Sequence, residues 1–65
     1  MSNASRTNTA PKVGESIVWR FKGNHGWRRS YVRAHFAKGK LIEVVNGGTL
    51  SDEIVAITDI DWYVA

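Results

Sequence analysis

The sequence predicts an all-β domain of five short strands forming a small barrel, with one short 3-10 turn before the last strand. Three observations support this fold class. Several segments alternate apolar and polar residues with a period of two, as half-buried strands do. Clusters of glycine and asparagine separate these segments. The chain of 65 residues is shorter than the ~100 residues of a β-sandwich, and a small barrel hides its strand edges.

Length and composition limit the class of protein. We expect one domain, with a disordered N-terminal tail over residues 1–11 and the barrel over residues 12–65. The chain contains no cysteine, which excludes disulfides and thiolate metal sites within it and favours a reducing compartment. No apolar run approaches the ~20 residues of a membrane-spanning helix. We therefore expect a soluble, cytoplasmic protein with no membrane partner.

Charge is distributed unevenly along the chain, whose net charge is +3. Five of the nine basic residues fall within fourteen positions, namely Arg20, Lys22, Arg28, Arg29 and Arg33. The last fourteen positions hold the acidic residues Asp52, Glu53, Asp59 and Asp61. The basic cluster favours an anionic partner, either nucleic acid or an acidic protein surface. The split between basic and acidic segments also suits a homo-oligomer.

The first strand is predicted over residues 15–22, where Ile17, Trp19 and Phe21 share the face that would be buried. A turn-rich loop follows at residues 23–26, which read Gly-Asn-His-Gly. The next segment, residues 27–45, is predicted to form the central hairpin around which the other strands pack.

The first strand of this hairpin shows clear alternation. Its even positions, Ser30, Val32, Ala34 and Phe36, are small or apolar and are predicted to face inward. Its odd positions, Arg29, Tyr31, Arg33 and His35, are large and polar and are predicted to face solvent.

Two registers are open for the return strand, residues 40–45. A two-residue turn at residues 38–39 would pair Ala34 with Glu43 and place a carboxylate on the core side. A three-residue loop at residues 37–39, with Gly39 left-handed and bulged, avoids this. It pairs Val32 with Val44, Ala34 with Ile42 and Arg33 with Glu43, and we prefer it.

Turn chemistry at residues 46–49, Asn-Gly-Gly-Thr, is predicted to end the third strand. Residues 50–53 are expected to continue this loop, with Leu50 tucked beneath it. A fourth strand is predicted over residues 54–57. One helical turn over residues 58–61, capped by Thr58, and a last strand over residues 62–64 complete the domain.

The strand order, the strand lengths and the late helical turn resemble the SH3-like small barrels, over residues 13–64. Residues 31–34, Tyr-Val-Arg-Ala, resemble the aromatic–Arg–Ala stretch on the second strand of Tudor domains. Residues 44–48 occupy the place of that family's aromatic Asp-Tyr-Gly-Asn-like segment but lack the aromatic ring. A methylated-residue cage needs several converging rings, and only Trp27 and Tyr31 are placed to contribute.

The architecture also resembles the plasmid-borne, trimethoprim-insensitive dihydrofolate reductases, which are small tetramers of the same barrel with a disordered N-terminal tail. That family's active-site segment Val-Gln-Ile-Tyr corresponds to residues 53–56, which here read Glu-Ile-Val-Ala. The resemblance therefore transfers no catalytic residue, and a small oligomeric reductase-like enzyme is the least favoured interpretation.

The candidate binding surface combines the outer face of the second strand with the loop before it. Guanidinium groups pair with phosphates, and aromatic rings between them stack on bases. The candidate residues are Arg20, Lys22, His25, Trp27, Arg28, Arg29, Tyr31, Arg33 and His35. We expect a non-enzymatic module that binds nucleic acid or another anionic partner. The alternative is a protein-interaction or homo-oligomeric assembly module that uses the apolar residues 62–64.

Other chemistry has little support in the sequence. His25 and His35 lack further ligands at metal-binding spacing, so no metal site is predicted. Ser30 has no general base near it in the sequence and is predicted to face inward, so we expect no nucleophile. We predict no catalytic residue and no cofactor.

Overall fold

A computed structural model describes residues 10–48 and 51–65, which form an all-β fold. Five antiparallel strands build one sheet with the order β4-β3-β2-β1-β5. The strands are β1 (Ser16–Phe21), β2 (Arg28–Phe36), β3 (Leu41–Asn46), β4 (Asp52–Ala56) and β5 (Ile60–Val64). A 3-10 turn at Ile57–Asp59 precedes β5, as predicted, and a second 3-10 turn at Ala37–Gly39 joins β2 to β3.

The core lies on one face of the sheet. Ile17 and Trp19 of β1 are fully buried, and Phe21 packs against the same cluster. Buried residues from every other strand join them: Val32, Ile42, Val44, Val55 and Ile60, together with Ile57 from the 3-10 turn. The alternation predicted for β1 is therefore confirmed.

The alternation predicted for β2 holds only in its first half. Ser30 and Val32 are buried, and Val32 pairs with Val44, as predicted. The ladder is then interrupted by a bulge between Val32 and Ala34. Beyond it, the odd residue His35 pairs with the buried Ile42. A bulge adds one residue to one strand, so it exchanges the faces of all residues that follow.

Several predictions for the hairpin are wrong for this reason. Phe36 pairs with Leu41 and is 43% exposed, although its even position predicted burial. Ala34 pairs with Glu43 rather than with Ile42. The expected Arg33–Glu43 pair is also absent, since Arg33 is the bulged residue.

The turn between β2 and β3 explains where the extra residue comes from. Gly39 has φ +86°, so its predicted left-handed conformation is confirmed, and Ala37 and Lys38 are left-handed too, at φ 53° and 58°. The turn closes the ladder at Phe36 and Leu41. From Val32 to Phe36 the chain has five residues, whereas Leu41 to Val44 has four. One residue of β2 must therefore bulge, and the bulge keeps Glu43 off the core side.

The C-terminal part differs from the prediction in its boundaries. Asp52 and Glu53, expected in a loop, are the first residues of β4. The 3-10 turn starts one residue earlier than predicted, and no side chain caps it, so the predicted role of Thr58 is wrong. β5 begins at Ile60 rather than at position 62. Thr49 and Leu50 lie outside the described residues, and so does the predicted packing of Leu50.

The sheet is open in the described part of the chain: β4 pairs only with β3, and β5 pairs only with β1. Closure into a barrel stays a prediction. Residues 1–9 of the predicted tail lie outside the described residues, whereas Pro11 is buried and Ala10 packs against the core. The described residues include no helix that is long and apolar enough to cross a lipid bilayer.

Candidate nucleic-acid interface

Cross-strand pairing in β5, β1 and β2 assembles a surface on the side of the sheet away from the core. Val18 pairs with Arg29 on one side and with Tyr63 on the other. Ser16 pairs with Tyr31. All these positions alternate with the buried residues Ile17 and Trp19, so they point outward. We call this surface the aromatic face, and it comprises Ser16, Val18, Trp27, Arg29, Tyr31 and Tyr63.

Trp27 lies at one end of the aromatic face and is held on two sides. Its ring meets Tyr63 edge-on, with centroids 5.4 Å apart and an interplanar angle of 64°. The Arg20 guanidinium lies 4.4 Å from the centre of the Trp27 ring, and the Asp61 carboxylate accepts a bond from Arg20 Nε at 3.2 Å. Trp27, Tyr31 and Tyr63 nevertheless remain 43–45% exposed. The rings are thus positioned by neighbours but still present area to solvent.

The arginines of the basic cluster are used in different ways. Arg20 pairs with Asp61, and Arg33 reaches across β3 to Asp52, where Nη1 and Oδ2 are 3.1 Å apart. Arg29 has no side-chain bond or ion pair within residues 10–48 and 51–65. An arginine that keeps its donors free in the middle of an aromatic surface can pair with an external phosphate.

Two of the sequence-predicted site residues lie on the other side of the sheet. Arg28 pairs with Trp19 in the ladder, and its guanidinium sits 5.1 Å from the centre of a Trp19 ring. It forms an ion pair of 2.7 Å with Glu53. His35 Nε2 donates to the carbonyl oxygen of Pro11 at 2.6 Å. Arg28 and His35 therefore make their contacts on the core side of the sheet, apart from the aromatic face.

The remaining two predicted residues, Lys22 and His25, are exposed in the loop between β1 and β2. The backbone N–H of Lys22 donates to Asp59 at 3.0 Å, which ties the loop to the 3-10 turn. Within the described residues, no hydrogen bond, ion pair or ring contact joins either side chain to the aromatic face. Lys22 therefore adds a positive charge to the loop that precedes Trp27, but no contact fixes the position of its side chain.

A polar network under the interface was not found by sequence reasoning. Trp19 Nε1–H donates to Ser30 Oγ at 2.9 Å, and the Ser30 hydroxyl donates to Asn46 Oδ1 at 2.6 Å. Asn46 Nδ2 then donates to Glu53 at 3.0 Å. Ser30 is buried, as predicted, and this network connects β1, β2, β3 and β4 in one row. It fixes the strands that carry Arg29 and Tyr31.

Sequence reasoning identified Tyr63 only as one of the apolar residues 62–64, and not as part of the basic, aromatic surface. Its position beside Trp27 depends on β5 pairing with β1, which brings residues 36 positions apart into contact. The described residues contain no group of three or more histidine, cysteine or carboxylate side chains able to hold a metal ion.

Comparison with known proteins adds no family to this geometry. No protein-family model and no curated protein matches the sequence, and no solved structure matches the fold. The resemblance to Tudor-type modules and to the small reductases therefore remains a prediction from residue patterns.

Proposed function

We propose that this chain is a non-enzymatic module that binds single-stranded nucleic acid on its aromatic face. The observation that carries the proposal is the placement of Arg29, which has no acidic partner in the described chain, on one face with three half-exposed rings. Those rings are Trp27, Tyr31 and Tyr63. The positive net charge of +3 adds a general attraction for polyanions.

Single strands suit this surface better than duplexes because their bases can leave the stack. Each base that stacks on an aromatic side chain contributes ~1–3 kcal/mol with little dependence on sequence. Ser16 and Val18 lie between Tyr31 and Tyr63 and are smaller than the rings, so the rings stand above the floor of the sheet. Arg29 is placed to pair with the phosphate that joins two stacked bases.

A methylated-residue cage is less well supported. A cage holds an external cation over converging ring faces, whereas the Arg20 guanidinium already lies 4.4 Å from the centre of the Trp27 ring.

The strand order and the 3-10 turn before β5 still support the SH3-like interpretation of the fold. The absence of cysteine supports a place in the reducing cytoplasm.

The contribution of Arg29 can be measured against a matched cation. We expect Arg29→Ala to weaken binding of a labelled single strand, and to lower the slope of log K against log salt by about 1, since one phosphate contact is lost. Lys40→Ala removes the same charge ~23 Å away, beyond the end of β2, at ~3.3 Å per residue. It should leave the slope almost unchanged. Fluorescence anisotropy across a salt series measures both.

Equal effects of Arg29→Ala and Lys40→Ala would show that binding follows net charge alone, and would reject the aromatic face as the site. Failure of the wild-type protein to bind any single strand at low salt would reject the proposal as a whole. Binding only to double strands would assign the protein to another class of nucleic-acid partner.

The stacking role of Tyr31 is tested separately from its charge environment. Tyr31→Ala should weaken single-strand binding by about 5- to 150-fold, which corresponds to the ~1–3 kcal/mol of one stacked base. Tyr31→Phe keeps the ring and should bind like the wild type. Phe36→Ala is the second control, because it removes an exposed ring at the far end of the same strand. A loss with Tyr31→Phe as large as with Tyr31→Ala would exclude stacking.

A further inference from the structure

The outer edge of β4 carries backbone groups that bond to no other strand of the described chain. The hydrogen bonds at the two ends of the β3–β4 ladder show which residues contribute these groups. The N–H of Asn46 donates to the carbonyl of Ser51 at 2.9 Å, and the N–H of Ile57 donates to that of Lys40 at 2.9 Å. Both pairs therefore belong to the hydrogen-bonded class of the β3–β4 ladder.

Hydrogen-bonded and non-hydrogen-bonded pairs alternate along an antiparallel ladder. Between these two pairs, Glu53 and Val55 of β4 must also bond to β3, opposite Val44 and Ile42. The N–H and C=O groups of the alternate residues, Asp52, Ile54 and Ala56, consequently point away from β3. No strand of the described chain meets them.

The edge lacks several of the features that usually prevent pairing with another chain. Proteins protect open edges with short strands, with proline or bulges, and with charged side chains, above all lysine. β4 has no lysine and no proline, and its ladder with β3 is regular. Its two acidic residues, Asp52 and Glu53, are already paired with Arg33 and Arg28. Ile54, at the middle of the strand, is 59% exposed, the highest fraction among the large apolar residues described.

We propose that β4 pairs antiparallel with β4 of a second copy of this chain, about a two-fold axis at Ile54. In this register Ile54 faces Ile54 of the second copy as a hydrogen-bonded pair, and Asp52 faces Ala56. Every outward N–H then meets an outward C=O, since the free residues are placed symmetrically about Ile54. The contact is isologous, so it closes at the dimer.

Side chains in this register are compatible as well. The carboxylate of Asp52 lies beside the methyl group of Ala56 in the second copy, and Glu53 lies beside Val55, so no acid faces an acid. The Ile54 side chains of the two copies meet across the axis on the outer face. The dimer therefore covers Ile54, the most exposed large apolar side chain among the described residues, while the two acidic residues keep their arginine partners.

The other open edge, on β5, fits a second copy less well. Lys22 N–H donates to Asp59 and Ala65 N–H donates to Ser16, both at 3.0 Å, so the same alternation leaves Ile60, Trp62 and Val64 pointing outward with their backbone groups. Ile60 is buried, and Trp62 packs against the core. Of the residues at this edge, pairing would cover Val64, which is 40% exposed, compared with 59% for Ile54.

The test is the mass of the full chain by sedimentation equilibrium from micromolar to millimolar concentration. The wild type should rise from 7.3 kDa towards twice that mass. Ile54→Pro removes an outward N–H from each copy and none that bonds to β3, so it should weaken the dimer by about 10- to 100-fold while the fold is retained. Ile54→Lys should prevent the dimer by placing two cations at the axis. Val13→Lys, at another exposed apolar residue, should dimerise like the wild type.

Amide hydrogen exchange identifies the edge that is used. At high protein concentration, the amides of Asp52, Ile54 and Ala56 should become protected, and those of Ile60, Trp62 and Val64 should not change. Far-UV circular dichroism confirms that each variant is folded. A monomer at every concentration, a dimer that survives both substitutions of Ile54, or protection gained at β5 would each overturn the proposal. None of these readouts depends on nucleic-acid binding.

Discussion

Replacement of Trp19 by alanine is expected to remove a large part of the protein's free energy of unfolding. Trp19 is fully buried, meets Phe21 edge-on at 5.1 Å and bonds to Ser30 through its indole N–H. Removing a buried tryptophan costs ~3–5 kcal/mol. A chain of 65 residues has a total stability of only ~3–10 kcal/mol, at ~0.05–0.15 kcal/mol per residue. The loss is therefore comparable with the whole stability.

The matched control is Trp27→Ala, the same change at an exposed ring. It removes a cation–π contact of ~0.5–1 kcal/mol and an aromatic pair of similar strength, so it should cost about 1–2 kcal/mol. Urea unfolding followed by far-UV circular dichroism compares the two variants without relying on tryptophan fluorescence. Equal destabilisation by the two substitutions would contradict the placement of Trp19 at the centre of the core.

The second large effect is expected from Ser30→Ala, which deletes one oxygen atom. Ser30 Oγ accepts from the buried Trp19 N–H and its hydroxyl donates to Asn46. Alanine leaves the indole donor without its partner at ~1–3 kcal/mol and removes a second bond of ~0.5–1.5 kcal/mol. We expect a loss of about 2–4 kcal/mol, and Tm should fall by ~4–8 °C for each kcal/mol in a domain of this size.

Ser16→Ala provides the comparison for this deletion. Ser16 lies on the exposed side of β1, so the same loss of a hydroxyl should change stability by no more than ~0.5 kcal/mol. Thermal unfolding of the two variants at one pH and salt concentration gives the difference directly. A Tm for Ser30→Ala within a few degrees of the wild type would mean that the polar network contributes little to the fold.

The candidate site was predictable only in part. Arg29, Tyr31 and Arg33 share the outer face as their spacing predicts, because they all precede or form the bulge. Arg28 and His35 lie on the other side of the sheet for different reasons. Arg28 belongs to the inner set of β2, like Ser30, and His35 lies after the bulge. Tyr63 joins the surface through the β1–β5 ladder, and no local pattern in the sequence encodes that pairing.

The ion pairs, too, could not be predicted from the sequence. Sequence separation places the acids of β4 far from the basic cluster, yet Asp52 and Glu53 neutralise Arg33 and Arg28. Only the order of the strands, with β4 next to β3 and β3 next to β2, brings them within reach. This pairing leaves Arg29 as the central cation of the aromatic face, which charge counting along the chain could not distinguish.

The residue pattern by itself determined the strand class, the inward set of β1, the left-handed Gly39 and the helical turn before the last strand. These properties follow from local sterics and from the period of two in a pleated chain. Only the tertiary structure decided the bulge at Arg33, the exposed position of Phe36 and the meeting of Trp27 with Tyr63. The bulge and the exposure of Phe36 follow from the numbers of residues between two distant pairs, Val32–Val44 in the core and Phe36–Leu41 at the turn, because a bulge absorbs the mismatch. The contact between Trp27 and Tyr63 follows from the pairing of β5 with β1.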